Sequence, residues 1–290
     1  MKEIVILSGK GGTGKTSVAA ALAVLAGKKA VVADCDVDAA NMHLLLKPDF
    51  AQTQEFFGGE LAVIHQDQCT SCGICEQTCR FNAINSNSGL YMVDPLNCEG
   101  CGYCEITCPE KAITMEKRRS GELYHSTNRI GGTMIHARLD IGAENSGRLV
   151  ALVKQKANDL AKENEQDWVI VDGSPGIGCP VISSLSGANY VLLVTEPSLS
   201  AHHDLKRIHQ LIKRFKIRSG CVINKYDLNQ ENTARIREFL ADEHIDYLAD
   251  IEFNPLFQQA MLEGKTIVEY PSKLTAILSE VWNKVKEINT

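Results

Sequence analysis

The chain has 290 residues, 44% hydrophobic and 23% charged, enough for a full globular core in one or two domains, with no disordered tract in its composition. Its net charge of -6, with Lys117-Arg118-Arg119 as the longest basic cluster, leaves no footprint for nucleic acid. No apolar run approaches the roughly 20 residues of a membrane span, and the N-terminus lacks the segment pattern of a secretory signal, so a soluble, cytoplasmic protein is expected.

The first element is an apolar run, Glu3 to Ser8, followed by a glycine-rich loop and an alanine-rich helix from about Thr16 to Gly27. A second run, Ala30 to Ala33, ends in acidic residues. This is the rhythm of a parallel sheet buried on both faces. It stops near Gly58-Gly59 and resumes after about Gly121. Strands are then expected at Leu123 to Tyr124 and Thr133 to Leu139, and an amphipathic helix from Asn145 to Lys162. Further strands follow at Trp168 to Val171, Tyr190 to Thr195 and Gly220 to Ile223. A last helix places Leu274, Ile277, Leu278, Val281, Trp282, Val285 and Ile288 on one face, for packing on the sheet; its polar face is not the basic one that anionic lipid attracts, so a membrane role is not expected.

The loop Gly9-Lys10-Gly11-Gly12-Thr13-Gly14-Lys15-Thr16, with Ser17 behind it, satisfies the Walker A pattern between a strand and a helix. Its glycines let backbone N–H groups turn toward phosphate oxygens, and the helix N-terminus adds positive potential. Lys15 is the candidate for neutralising the β- and γ-phosphates, and the Thr16 hydroxyl for ligating Mg²⁺. Asp172 ends an apolar strand as a Walker B aspartate does. Asp34, Asp36 and Asp38 follow the second strand, and Asp34 joins Thr16 and Asp172 as the expected Mg²⁺ set. Phosphoryl transfer needs mainly positioning and charge neutralisation, so one carboxylate for water and two lysines for phosphate suffice, with Asp36 the first candidate for the water.

Lys10 within Lys-Gly-Gly-Thr-Gly-Lys-Thr resembles the signature lysine of the deviant Walker A ATPases, the group that includes MinD, ParA, Mrp-type scaffold proteins and the nitrogenase iron protein. The resemblance implies a doubly wound, mostly parallel P-loop NTPase fold and a nucleotide-sandwich homodimer, or a heterodimer with a paralogue, in which Lys10 reaches the partner's phosphates. It also implies that Asp34 to Asp38 with Asn41 form a first switch, Asp36 orienting the attacking water, and Asp172-Gly173-Ser174-Pro175-Gly176 a second. Asn224-Lys225-Tyr226-Asp227 has the form of the guanine-reading motif of small GTPases, but the same strand end supplies base contacts in MinD-like ATPases. Asn224 and Asp227 are therefore candidate base contacts, with ATP the expected nucleotide and GTP the alternative.

Eight of the eleven cysteines fall within forty residues, and in a reducing compartment they point to metal rather than disulfides. Cys69, Cys72, Cys75, Cys79, Ala83 and Ile84 recur 29 residues later as Cys98, Cys101, Cys104, Cys108, Ala112 and Ile113, an internal duplication that implies two halves about an approximate twofold axis. Both runs have the spacing of bacterial ferredoxins, in which the fourth cysteine serves the other cluster. Cys69, Cys72, Cys75 and Cys108 are thus expected to hold one [4Fe-4S] cluster, and Cys98, Cys101, Cys104 and Cys79 the second. Zinc is the alternative, and Arg80 stands where the ferredoxin pattern usually has proline. The unit at 60–118 is expected to be a small α+β, ferredoxin-like insert between 1–59 and 119–290 of the NTPase.

Cys35 and Cys221 lie in apolar runs and read as core. Cys179, seven residues after Asp172, sits at the offset of a cluster-ligating cysteine in the nitrogenase iron protein; a structural cysteine is the competing reading. His136 and His202-His203 lack paired ligand spacing. Together these features predict an ATPase that couples a nucleotide-driven dimer rearrangement to electron transfer or metal-cofactor handling on a redox or metal-cofactor protein. The alternatives are a scaffold or chaperone with ATP-gated release and a positioning ATPase with a docking insert.

Overall fold

In the computed structural model, residues 1–143 and 146–289 are described, and they divide into two units. The first comprises Met1–Thr53, Leu123–Arg138 and the chain from Ser146 onward; the second comprises Gln54–Glu122 with the return from Leu139.

The chain opens with β1 (Lys2–Leu7), buried from Glu3 onward, and α1 (Lys15–Ala26), then β2 (Ala30–Asp34) and the short α2 (Met42–Leu46). α1 carries Ala19 to Ala23 fully inside, because small side chains let a helix lie close on a sheet from both flanks. β3 (Gln52–Ile64) leads into the second unit, which holds α3 (Ile74–Thr78), β4 (Ile84–Asn87), β5 (Leu90–Val93) and α4 (Tyr103–Thr107). β6 (Ile113–Thr127) leads out of it.

The first unit continues with β7 (Thr133–Leu139), α5 (Ser146–Glu163), β8 (Trp168–Asp172) and α6 (Cys179–Leu185). It closes with β9 (Tyr190–Thr195), α7 (Leu199–Phe215), β10 (Arg218–Asn224), α8 (Gln230–Asp242), β11 (Asp246–Ile251), α9 (Leu256–Glu263) and α10 (Lys273–Asn289).

Seven strands of the first unit lie in the order β11-β10-β9-β1-β8-β2-β7, and every neighbouring pair among them is parallel. β6 and β3 follow in that order. β1 sits between β8 and β9, strands reached by long crossovers, so the loop after β1 opens where the winding reverses, the place ligands take in such sheets. The last helix packs Leu274, Leu278, Val281, Trp282 and Val285 into the core with α1 residues, which accounts for its apolar face. Among the described residues no helix is long and apolar enough to cross a membrane.

Three details depart from the sequence reading. Gly58-Gly59 does not end the sheet pattern: β3 runs straight through it, and Gly58 N–H donates to Ser120 Oγ at 3.3 Å. The second unit therefore begins and ends further out, at Gln54 and Glu122, than the expected 60–118. Strand β11 was not anticipated, because Asp246, Asp250 and Tyr247 interrupt its apolar pattern. The expected start of the α5 helix at Asn145 lies outside the described residues.

The second unit has a core of its own, formed by Ala62, Cys75, Ile84 and Ile113 with Ile64, Tyr91, Val93 and Met115 against it. Its duplication is visible in the backbone. α3 and α4 start 29 residues apart, after Gly73 (φ 77°) and Gly102 (φ 72°), and Asn82 and Lys111 share a φ of 52°. Thr78 and Thr107 each donate to the carbonyl four residues earlier at 2.9 Å, and their hydroxyls meet each other at 3.5 Å. Gly100 has no freedom to be anything else: its φ is 65°, and a Cβ there would fall 2.4 Å from the Glu60 carbonyl oxygen.

Candidate functional site

The loop between β1 and α1 lines a cavity of 530 Å³, a size suited to a nucleotide, together with Asp36, Asn41, Pro175, Asn224 and Lys225. Of the residues expected to bind nucleotide, Gly11, Gly12, Gly14, Lys15, Thr16, Ser17 and Asn224 face this space. Gly9, Thr13 and Asp227 are not among its walls. Gly14 opens α1 with φ 94°, and a Cβ on it would strike the Asn224 amide at 2.5 Å.

Lys15 Nζ lies 2.6 Å from Asp172 Oδ1 and 3.4 Å from Asp36 Oδ2, all three side chains nearly out of solvent. Burial alone would lower the Lys15 pKa, but Asp172 and Asp36 outweigh it and leave it raised, so the ammonium stays charged. Burial, and then Asp172, push the Asp34 carboxyl up to about 8. Asp36 is raised too, chiefly by burial, against the pull of Lys15. One ammonium thus faces three carboxyl groups. Oδ2 of Asp34 and Oδ2 of Asp172 are buried without a hydrogen-bond partner, and such oxygens are what a hard divalent cation takes as ligands. The residues present therefore fit Mg²⁺, and Thr16, whose Oγ1 lies 3.5 Å from Lys15 Nζ, lines the adjoining cavity.

The two expected switch segments are joined through main-chain atoms. Cys35 N–H donates to the Asp172 carbonyl at 2.8 Å, and Ser174 Oγ–H donates to the Cys35 carbonyl at 2.8 Å. The Cys35 side chain is fully buried, and burial pushes its thiol well up; the same holds for Cys221. Both are core. Cys179 is exposed at the start of α6.

Lys10 lies in its own chain against Glu196 Oε1 at 2.7 Å, and also donates to Ser198 Oγ at 3.2 Å and Ser200 Oγ at 3.3 Å. Glu196 in turn takes Lys225 Nζ at 2.9 Å, and Lys225 donates to the Gly12 carbonyl at 3.0 Å. Nothing in the sequence around Glu196 marks it as the charge partner of Lys10 and Lys225, which reach it from other elements.

Asn224 and Asp227 are both committed to protein. Asn224 Nδ2 donates to the Thr13 carbonyl at 2.8 Å while its Oδ1 accepts Lys225 N–H, so this amide braces the phosphate loop from the tip of β10. Asp227 Oδ1 accepts Phe253 N–H at 2.6 Å. The far wall of the cavity is Phe253, Asn254, Phe257, Gln258 and Met261, a stretch the sequence reading passed over because it carries no motif.

His136 is buried, with Nε2 2.9 Å from Ser126 Oγ and its ring packed with Tyr124 and Phe50, a structural setting. His202 packs on Phe239.

In the second unit the eight cysteines are all free thiols and sort into two cavities. One, of 390 Å³, is lined by Cys79, Cys98, Cys101 and Cys104; the other is lined by Cys69, Cys72, Cys75 and Cys108. The sulfurs are served alike in both halves: Ala83 N–H donates to Cys79 Sγ at 3.4 Å, and Ala112 N–H to Cys108 Sγ at 3.3 Å. Burial raises the thiols of Cys75 and Cys104, again equivalent positions. Among the described residues no three His, Cys, Asp or Glu side chains converge on a single-ion site.

Comparison with known proteins places these features. The chain is 33% identical to the uncharacterized protein MJ0578 of Methanocaldococcus jannaschii, over 98% of this chain and 96% of that one, and 26% identical to MJ0579 of the same organism, over 98% and 97%. Among solved structures it resembles the septum site-determining protein MinD of Pyrococcus horikoshii, solved with Mg-ADP, with a TM-score of 0.61 at 20% identity over 99% of this chain and 96% of that one. The cell division ATPase MinD of Pyrococcus furiosus gives a TM-score of 0.58 at 20% identity, over 99% of both chains. These solved relatives share the fold: a large, mostly parallel α/β sheet. The model of the CobQ/CobB/MinD/ParA nucleotide binding domain matches residues 4–267, and the chain belongs to that family.

Proposed function

We propose that this protein is an ATP-hydrolysing iron–sulfur protein in which a nucleotide-dependent dimer rearrangement is coupled to electron transfer, or to metal-cofactor handling, on a redox or metal-cofactor protein partner. The observation that carries the iron–sulfur half is the sorting of the eight cysteines. Each cavity takes three from one run and the fourth from the other, the crossed pattern of two-cluster ferredoxins. A zinc ion would need four donors within about 2.3 Å of one point, and among the described residues no three His, Cys, Asp or Glu side chains are gathered that closely. When bound, the clusters supply one-electron redox chemistry. The chain's part is to offer eight thiolates, N–H donors from Ala83 and Ala112, and an apolar floor from Ile84 and Ile113.

For the nucleotide, Lys15 and the loop N–H groups hold the phosphates, Thr16, Asp34 and Asp172 hold Mg²⁺, and Asp36 places the attacking water. ATP is favoured over GTP because one Asp227 oxygen is taken by the Phe253 main chain, whereas a guanine reader must aim that carboxylate at the base. The wall from Phe253 to Met261 is largely apolar, as a purine face requires.

A positioning ATPase, with the second unit as a docking module, is favoured by one observation: the match to MinD structures spans 99% of the chain. Anaerobic purification with iron and sulfide quantification, followed by EPR with ATP, GTP and no nucleotide, separates the two. About eight irons per chain, with signals that change on adding ATP, are expected. Protein without iron overturns the redox reading; clusters indifferent to either nucleotide favour the docking reading.

A further inference from the structure

The two cysteine cavities come from one sequence used twice, so their walls can be compared position by position at an offset of 29. Three of the paired positions differ in charge. Arg80 lines the Cys98 cavity where Pro109 lines the Cys69 cavity; Phe81 stands opposite Glu110, and Glu99 opposite Thr70.

Each difference has an electrostatic sign. A cluster becomes more negative by one charge on reduction, so a nearby cation, amide donors and water raise its potential, and a nearby carboxylate lowers it. The Cys98 cavity has Arg80 on its wall, an exposed residue for which no ion pair is found among the described residues. It also has the Arg80 N–H, which proline at the equivalent position cannot offer. Glu99 opposes these. The Cys69 cavity has one carboxylate, Glu110, and no cation on its wall. Charge and donor count favour the same side; the one opposing group, Glu99, has a counterpart carboxylate in the other cavity.

We propose that Arg80 makes the two sites unequal, so that the cluster held by Cys79, Cys98, Cys101 and Cys104 is reduced at a higher potential than the one held by Cys69, Cys72, Cys75 and Cys108. This rests on the iron–sulfur reading above. A single electron from a low-potential one-electron donor then resides at the Cys98 side, with no bond made or broken and no proton moved. The sequence position that departs from the ferredoxin pattern becomes the one that sets the order of filling.

The test is an anaerobic redox titration with dithionite, followed by EPR, on the full chain and on Arg80→Gln and Arg80→Pro, each checked for iron content and folding. The first variant removes the charge and keeps the N–H; the second restores the residue of the other half. In the wild type two one-electron steps are expected, with the reduced fraction of the first cluster at least tenfold ahead, which corresponds to about 59 mV. Both variants should narrow that ratio by lowering the upper step, Arg80→Pro the more, while the lower step stays. A Cys101→Ser substitution should shift the upper step alone. A single common step in iron-loaded wild type overturns this inference and leaves the iron–sulfur reading standing, as does an upper step that ignores both Arg80 variants. Protein without iron overturns both.

Discussion

Lys10 Nζ is 2.7 Å from Glu196 Oε1 within one chain, and Glu196 also holds Lys225 at 2.9 Å. Burial works to raise the Glu196 pKa, and the hydrogen bonds and charges of the two lysines outweigh it, so the carboxylate stays ionised. For Lys10 to reach a partner's phosphate it must leave this carboxylate. Glu196→Gln should therefore lower the ATP concentration needed for dimerisation, by about two- to fivefold for a half-exposed pair worth about 0.5–1 kcal/mol. Sedimentation across an ATP series measures it; an unchanged midpoint means the pairing does not oppose dimerisation. Lys10→Ala should abolish dimerisation while leaving nucleotide binding.

Hydrolysis is expected to depend on Asp36 more than binding does. Asp36→Asn should retain ATP affinity within a few-fold and lose turnover by at least about 100-fold, the scale of removing one positioned group in phosphoryl transfer. Asp172→Asn should weaken Mg²⁺ binding as well, because it removes a charge from a buried pair with Lys15. Equilibrium nucleotide binding set against single-turnover rates distinguishes the two variants.

If Asp227 read guanine, Asp227→Asn would trade GTP for xanthosine triphosphate, whose ring offers the complementary acceptor. The structure instead ties Asp227 to Phe253 N–H. Asp227→Asn should weaken ATP about three- to tenfold by loosening the 253–261 wall, as loss of a charge-assisted bond does, and confer no affinity for xanthosine triphosphate. Competition against a fluorescent ATP analogue reads this directly.

His136 gives a pH signature to the first unit. Burial, with a small push from His43, lowers its pKa to about 4 from an ordinary 6.5. The unfolded chain therefore takes up a proton before the folded one does. Stability contributed by the neutral ring is complete above pH 6.5 and is lost as pH falls toward 4, by up to roughly 3 kcal/mol. Chemical denaturation at pH 7 and pH 4.5 should show the loss, and His136→Gln should flatten it; an equal slope in the variant would place the titrating group elsewhere.

What could be read in advance was whatever chemistry forces to be local. The phosphate loop runs from strand to helix in eight residues, and each cysteine run supplies three of the four cysteines of one cavity, so Gly9 to Thr16 and the eight cysteines announce themselves. Asp34 and Asp172 were legible because each ends an apolar run. The rest depends on distance in space between residues far apart in sequence. Glu196, Phe253 and Phe257 enter the site only once β9, β10 and α9 are laid beside the loop. Gly58-Gly59 misled for the opposite reason: glycine is a breaker on average, yet here the close neighbour Ser120 leaves no room for a side chain, and the strand continues.

The two links at Cys35 use its N–H and its carbonyl, never its sulfur. A wire made of main chain cannot be cut by replacing the residue it passes through. Substituting Cys35 would disturb packing but leave the segment of Asp36 fastened to that of Asp172, so a mutational scan would score the position as mere filling. The link that a substitution can sever is the one from Ser174, whose hydroxyl is a side-chain atom, and whose loss would leave the two segments tied at one point instead of two.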